Sequence, residues 1–446
     1  MGAVAPIGAR VGQPERAEYG MAQQRRTAIP APATLPLRGS GASSLAQILA
    51  ERAVFPLFQP IVDLTTRKIV GVEALARGPA GSALEFPDAL FGAAVAAGRL
   101  AELDQLCCAR GLELARDAGP VVPPLVFVNA EPAALNAALT PELLEIIRSD
   151  LPFRIVLEFT ERALSAAPAT LLDIAEGVHG HGNAVALDDV GADPLSLAFL
   201  PMVEPEVVKL DMHLLRAPHD PGTLATAATV SAFAERTGAT VLAEGVETEQ
   251  DAAYALALGA RWGQGWLFGR PGPLAAIAGR PVDQAARLRP PQRELHRPAG
   301  TPFGLAATRN AVRRGDLRMV DAVADQVFAQ AAGSGAHAVV LCAPNGPGRP
   351  ADWLPHLEKL AGNAAYVGLV AGRPAHCPPA VHSRMLGSAD PLHGETTLVI
   401  IDPRVSVALT MRGTGDEVDF VLTHDRDLVQ CIARMIMQRL PRTGSP

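Results

Sequence analysis

Short apolar runs, most of them closed by a polar residue, recur from Phe58 to Gln264 and alternate with stretches of helical spacing. The runs predict strands at Phe58–Val62, Ile69–Glu73, Leu125–Asn129, Arg154–Glu158, Ala184–Asp189, Val207–Asp211, Thr240–Glu244 and Trp262–Gln264. Helices are expected over 103–117, 141–149, 168–180, 222–237 and 248–258, with a shorter one near 194–200. Eight strands, most followed by a helix, predict a (β/α)8 barrel variant; Asp63–Lys68 is short enough to make the first pair an antiparallel hairpin. An open doubly wound sheet is the alternative, but it would want a Gly-rich turn after an early strand, which is missing here. Ser44, with Gln47 three residues on, predicts a capped helix that packs under the barrel.

Outside this region the pattern changes. Residues 1–43, rich in Ala, Pro, Gly and Arg without periodicity, read as disordered. Residues 274–313 read as a Pro- and Arg-rich linker, following a barrel of 44–273. Residues 314–446 read as a smaller α/β unit: a helix at 316–332, strands at 337–343, 365–371, 397–402, 405–411 and 417–423, and a helix from Asp425 that Thr423 could cap.

Net charge of -7 argues against sequence-independent nucleic-acid binding and against anionic membranes. Lysine occurs only at Lys68, Lys209 and Lys359, so Lys209 inside an apolar run stands out. Cys107, Cys108, Cys342, Cys377 and Cys431 lack zinc-site spacing and read as reduced thiols. His376 and His382 likewise show no metal-site spacing. No apolar run nears the roughly 18 residues that span a bilayer, and a cytoplasmic protein is expected.

In a barrel the strand ends converge on one face, bringing together Glu73, Asn129, Glu158, Asp188, Asp189, Glu244 and Gln264, with Lys209 and Asp211 beside them. Each alone reads as a cap or salt bridge. Together they are too acidic to coexist uncompensated, and oxygen donors without His or Cys suit Mg²⁺ or Mn²⁺. The adjacent Asp188 and Asp189 suggest two ions sharing a carboxylate, an arrangement that serves phosphoester hydrolysis, with Lys209 and Arg77 as cationic helpers.

These residues carry a family resemblance. Gln59-Pro60-Ile61-Val62, Glu73-Ala74-Leu75-Ala76-Arg77, Asn129, Glu158-Phe159-Thr160-Glu161, Leu187-Asp188-Asp189, Val208-Lys209-Leu210-Asp211, Ala243-Glu244-Gly245-Val246-Glu247 and Gln264-Gly265-Trp266-Leu267-Phe268 resemble the EAL family of cyclic di-GMP phosphodiesterases. The resemblance implies hydrolysis of cyclic di-GMP to linear pGpG with two Mg²⁺ or Mn²⁺ ions, and a homodimer through the barrel. It implies that Glu73, Asn129, Glu158 and Asp188 hold one ion, and that Asp188 bridges to a second held by Asp189 and Glu244. Lys209 would orient the attacking water, Glu244 is also a candidate base, and Gln264 would position water. Gln59, Leu75, Arg77 and Asp211 would contact the dinucleotide, Glu161 would steady the loop after Asp189, and Glu247 would support Glu244. One stretch departs: the family's Phe-Gly-Thr-Gly-Tyr-Ser is here Val190-Gly191-Ala192-Asp193-Pro194-Leu195. That departure leaves a non-catalytic cyclic di-GMP receptor as the alternative. Val421–Val429 resembles the end of DICT-type sensory domains.

Overall fold

The computed structural model describes residues 44–440 apart from 132–136, 161–167, 193, 292–299, 348–349 and 373–376. The lead-in 1–43 and Glu161 fall outside the described residues.

Eight strands close a barrel in chain order: β1 (Leu57–Asp63), β2 (Ile69–Leu75), β3 (Leu125–Asn129), β4 (Arg154–Thr160), β5 (Ala184–Val190), β6 (Val207–Leu210), β7 (Thr240–Ala243) and β8 (Trp262–Gln264). β1 runs antiparallel to both β2 and β8, and every other pairing is parallel. The predicted hairpin and barrel variant are therefore the observed fold. The strands are buried on both faces, which is why they read as continuous apolar runs.

Helices α1 (Leu45–Ala50), α2 (Pro87–Ala96), α3 (Leu100–Asp117), α4 (Pro141–Arg148), α5 (Pro168–Gly180), α6 (Pro194–Val203), α7 (Met212–Arg216), α8 (Pro221–Thr237) and α9 (Glu249–Ala257) surround them. Ser44 caps α1 by accepting from the Gln47 amide, but the Gln47 side chain bonds Glu51, so no capping box forms. α1 does not lie under the barrel. Its Leu45, Ile48 and Leu49 pack with Leu90 of α2 and Leu103 of α3, and Phe55 N bonds Arg77 O just beyond the carboxyl end of β2.

The stretch after β8, read as a linker, is not a free tether over Leu274–Arg289. Val282 bridges to Ile69 at the start of β2, and Ala286 and Leu288 join Ile61, Val70, Leu125 and Trp262 in the apolar cluster that closes the barrel floor. Arg154 donates to the carbonyls of Leu288 and Arg289 and fixes this crossing.

Beyond it come α10 (Pro302–Arg309), β9 (Arg313–Asp316), α11 (Leu317–Ser334), β10 (Val339–Pro344), α12 (Pro350–Ala361), β11 (Tyr366–Ala371), β12 (His382–Met385), β13 (Glu395–Ile401), β14 (Ser406–Arg412), β15 (Glu417–Thr423) and α13 (Arg426–Met437). The strands form one mixed sheet in the order β12-β11-β10-β13-β14-β15-β9. Asp425, not Thr423, caps α13, accepting from Leu428 N; Thr423 instead accepts from Asp425 N.

The sheet unit and the barrel share one apolar core. Leu428, Ile432 and Ile436 of α13 belong to the same cluster as Phe199, Leu200 and Val203 of α6, and Phe199 meets Tyr366 edge to face with ring centroids 5.7 Å apart. At the centre of this contact Arg434, 1% exposed, donates from Nε (2.9 Å) and Nη2 (2.6 Å) to the Met202 carbonyl, and Nη2 lies 3.9 Å from Glu204 Oε2. No helix among the described residues is long and apolar enough to cross a membrane.

Candidate metal centre

The carboxyl ends of the parallel strands deliver the predicted side chains to one cup. Asn129 Nδ2 donates to Glu73 Oε1 at 2.8 Å, and Gln264 Nε2 donates to Glu73 Oε2 at 2.6 Å. The same Gln264 amide reaches Gln59 Oε1 at 3.3 Å, and Gln59 Nε2 donates to the Gly269 carbonyl at 3.1 Å. Lys209 stands at the bottom, 1% exposed, with Nζ 2.8 Å from Glu244 Oε1, 2.9 Å from Glu158 Oε1, 3.0 Å from Asp188 Oδ1 and 3.9 Å from Glu73 Oε2.

Neighbouring residues on a regular strand face opposite ways, so Asp188 and Asp189 could not normally serve one site. Here the β5–β6 register breaks between Leu187 and Val190, and Asp189 adopts φ 56°, the left-handed region. This bulge re-aims the second carboxylate. Asp188, Asp189 and Glu244 thereby present oxygens all within 4.8 Å of one another. Glu244 is brought in by a close backbone crossing. A Cβ on Gly265, at φ 155°, would lie 2.2 Å from the Val246 carbonyl, so only glycine lets the turns after β7 and β8 meet.

One ammonium cannot neutralise this many carboxylates. Burial pushes the Glu158 carboxyl well above its usual range, and the charges of Glu73 and Asp188 push it the same way against Lys209. Burial likewise raises Glu244 to about 8, opposed by Lys209 and supported by Asp188 and Glu73. For Glu73 burial is outweighed by the Lys209 charge and the hydrogen bonds from Gln264 and Asn129, which hold it below the usual value. Lys209 itself is kept well above its ordinary value, because Asp188, Glu158, Glu244 and Glu73 overcome the desolvation of the ammonium. Two buried cup atoms, Glu158 Oε2 and Gln264 Oε1, have no hydrogen-bond partner. Hard oxygen donors, excess negative charge and unpaired oxygens fit divalent cations.

Other predicted residues sit differently. Leu75 and Asn129 line a cleft of about 240 Å³ beside the cup, together with Ala76, Asp88 and Phe91. Arg77 is half-buried and turns its Nη1 back to the Ala76 carbonyl at 2.7 Å. Asp211 caps α7, accepting from His213 N at 2.6 Å and bonding its ring at 2.5 Å. Glu247 pairs with Arg216 Nη2 at 3.5 Å rather than with Glu244. Arg216 was missed in the sequence: it donates to Asp251 Oδ1 at 2.7 Å and to the Gly245 carbonyl at 3.0 Å, holding the turn after Glu244. The Thr248-x-x-Asp251 capping box was the available signal for its partner.

The sequence model described as "EAL domain" matches residues 42–271. The chain is 30% identical over 239 residues to the probable cyclic di-GMP phosphodiesterase PdeB of Escherichia coli, covering 51% of this chain and 44% of that protein. It is 28% identical over 222 residues to the cyclic di-GMP phosphodiesterase RocR of Pseudomonas aeruginosa, covering 48% of this chain and 57% of that one. The chain thus spans about half the length of these relatives. Among solved structures, a manganese and cyclic di-GMP complex of Klebsiella pneumoniae BlrP1 is 28% identical, with a TM-score of 0.43, covering 49% of this chain and 56% of that one.

Proposed function

The chain belongs to the EAL domain family, and on that premise we propose that it hydrolyses cyclic di-GMP to linear pGpG with two bound Mg²⁺ or Mn²⁺ ions. The observation that carries this reading is the acidic cup itself. Asp188, Asp189 and Glu244 offer converging oxygens, and Glu73, Asn129 and Glu158 stand beside them around one buried lysine.

Glu73, Asn129, Glu158 and Asp188 would hold one ion and Asp188, Asp189 and Glu244 the other. Such a pair supplies a water acidic enough to ionise near neutral pH and offsets the negative charge of the phosphodiester. Lys209, already within 3.0 Å of Glu158, Asp188 and Glu244, is placed to orient the attacking water and stabilise charge. Gln264 spends its Nε2 on Glu73, which leaves Oε1 to accept from that water. Glu244 is the candidate base, its Oε1 held 2.8 Å from Lys209 Nζ at the cup. Gln59, Leu75 and Arg77 would contact the dinucleotide from β1 and β2. Asp211, with one oxygen committed to His213, would do so from the opposite rim.

The sheet unit, DICT-like in Val421–Val429, would modulate the barrel. A cleft of about 780 Å³ supports this, because it joins Gly191, on the turn after Asp189, to Asp402–Val405 of the sheet unit. In this reading the protein is a cytoplasmic homodimer that lowers a bacterial second messenger. The altered Val190–Leu195 stretch favours one other reading, a receptor that binds cyclic di-GMP without turning it over. Incubation of the full chain with cyclic di-GMP and Mn²⁺, with products resolved by chromatography, separates the two: pGpG supports the enzyme, and tight binding without product selects the receptor.

A further inference from the structure

Helix α3 packs tightly on the outside of β2 and β3: a Cβ at Gly111 would lie 3.0 Å from the Cβ of Ala74, the residue after Glu73. On the face toward this wall α3 carries three buried polar side chains, Asp104, Gln105 and Cys108. All three are spent on the main chain that leaves β3. Asp104 Oδ1 accepts from the Glu131 amide at 3.0 Å, and Cys108 Sγ donates to the Asn129 carbonyl at 3.1 Å. Gln105 Nε2 donates to the Ala138 carbonyl at 3.0 Å, while its Oε1 accepts from Thr140 N at 2.6 Å. Between the first two anchors, Ala130 N donates to the Glu158 carbonyl at 3.1 Å. Three successive residues, 129 to 131, are therefore gripped, two of them by side chains one helical turn apart on α3.

Asp104 is a costly way to hold an amide. It is 6% exposed, and no Lys or Arg pairs with it among the described residues, whereas an apolar residue there could fill the same space without desolvating a charge. What the carboxylate secures is the exit of β3 at the one position where that strand contributes to the cup. Asn129 gives its Nδ2 to Glu73, which leaves the amide oxygen for the site.

We propose that Asp104, seconded by Cys108, is a positioning residue for Asn129: it fixes the backbone that aims the Asn129 amide into the cup and thereby sets the affinity of the ion held with Glu73. This rests on the metal-dependent reading above. Partners that hydrogen-bond a ligand residue directly typically govern roughly 10–100-fold in metal affinity; Cys108 touches Asn129 itself, and Asp104 acts through the Glu131 amide two residues on.

The test compares the full chain with Asp104→Asn, Asp104→Ala and Cys108→Ala, measuring Mn²⁺ affinity by calorimetric titration, the melting midpoint, and kcat and KM for cyclic di-GMP. Asp104→Ala should weaken Mn²⁺ binding roughly tenfold, the lower end of that range, because its hold on Asn129 is indirect. Asp104→Asn, which keeps an acceptor oxygen at the same reach, should restore most of that loss, and at saturating Mn²⁺ the KM should stay near the parent value. A purely structural residue would lower the melting midpoint without moving Mn²⁺ affinity, and that result would overturn the proposal. So would an Asn variant as weak as the Ala variant. Should Asp104→Ala not fold, Cys108→Ala decides, since it also must weaken Mn²⁺ binding. A parent chain that binds no Mn²⁺ would sink the metal reading itself, a result distinct from a parent that binds and an Asp104→Ala variant that binds equally well.

Discussion

Replacing Arg434 by Met keeps most of the side-chain volume at the contact between α6 and α13 but removes its charge and donors. Two hydrogen bonds to the Met202 carbonyl, at 2.9 and 2.6 Å, disappear, and Glu204 loses the cation 3.9 Å from its carboxylate. Breaking one partner of a buried pair costs about 3–5 kcal/mol. Three features place Arg434→Met at the lower end. Arg434 Nη1 is itself unsatisfied, so its removal also relieves desolvation. Burial already raises the Glu204 carboxyl against the pull of Arg434 and Arg289, so the orphaned acid can take up a proton. Arg289 still donates to the Glu204 carbonyl at 2.6 Å. The expected loss is about 3 kcal/mol. Combining Arg434→Met with Glu204→Gln should recover part of it, as a coupling of about 0.5–3 kcal/mol in a double-mutant cycle. Urea unfolding of the four proteins, followed by signals from Trp262 in the barrel and Trp353 in the sheet unit, provides the assay. Because the two units share a core, both signals should move together to lower urea. An Arg434→Met protein within about 0.5 kcal/mol of the parent, or a barrel transition that ignores the substitution, would refute the reasoning.

Glu73→Ala should abolish turnover with the fold intact, because it removes a candidate ligand together with the hydrogen bonds that organise Asn129 and Gln264; near-normal rates in a well-folded protein at saturating Mg²⁺ would contradict it. Lys209→Met leaves the carboxylates of Glu158, Asp188 and Glu244 facing one another, so the metal-free protein should melt earlier and Mn²⁺ should restore much of the loss, while turnover falls more than Mn²⁺ affinity. Stability without metal should depend on pH through Glu244, raised from 4.5 to about 8, and through Glu158, raised in the same direction. The folded protein keeps protons that the unfolded chain releases, so their contribution is whole below about 4.5 and is lost as pH rises through about 8. Urea midpoints in chelator should fall across that window, and saturating Mn²⁺ should flatten the decline.

The barrel was legible because parallel strands buried on both faces print themselves as apolar runs, although β2, β4 and β5 continue one or two residues past the polar side chains that close the runs. Leu125–Asn129 and Trp262–Gln264 were read to the residue. The cup was legible in membership but not in geometry. Nothing in Leu187-Asp188-Asp189-Val190 announces the left-handed Asp189 that puts two neighbouring carboxylates on one side. The packed crossing under the barrel was hidden because Leu274, Ile277, Ala286 and Leu288 follow no helical or strand period, so a Pro-rich stretch looked like a tether. β9 was missed because Arg313-Arg314-Gly315-Asp316 is an exposed edge strand with no apolar alternation. Arg434 gave no signal in the sequence, since an Arg late in a helix ordinarily faces solvent. Only the docking of α13 on α6, a contact between segments more than 200 positions apart, shows that both faces are buried.

The most direct measurement is the rate of cyclic di-GMP loss in the metal-stripped full chain as Mn²⁺ is titrated in. A cup that needs two ions sharing Asp188 predicts no turnover in chelator, a rise with more than first-order dependence on free Mn²⁺, pGpG as the product, and full reversal when chelator is added back. Turnover that persists at the same rate in excess chelator would contradict the account.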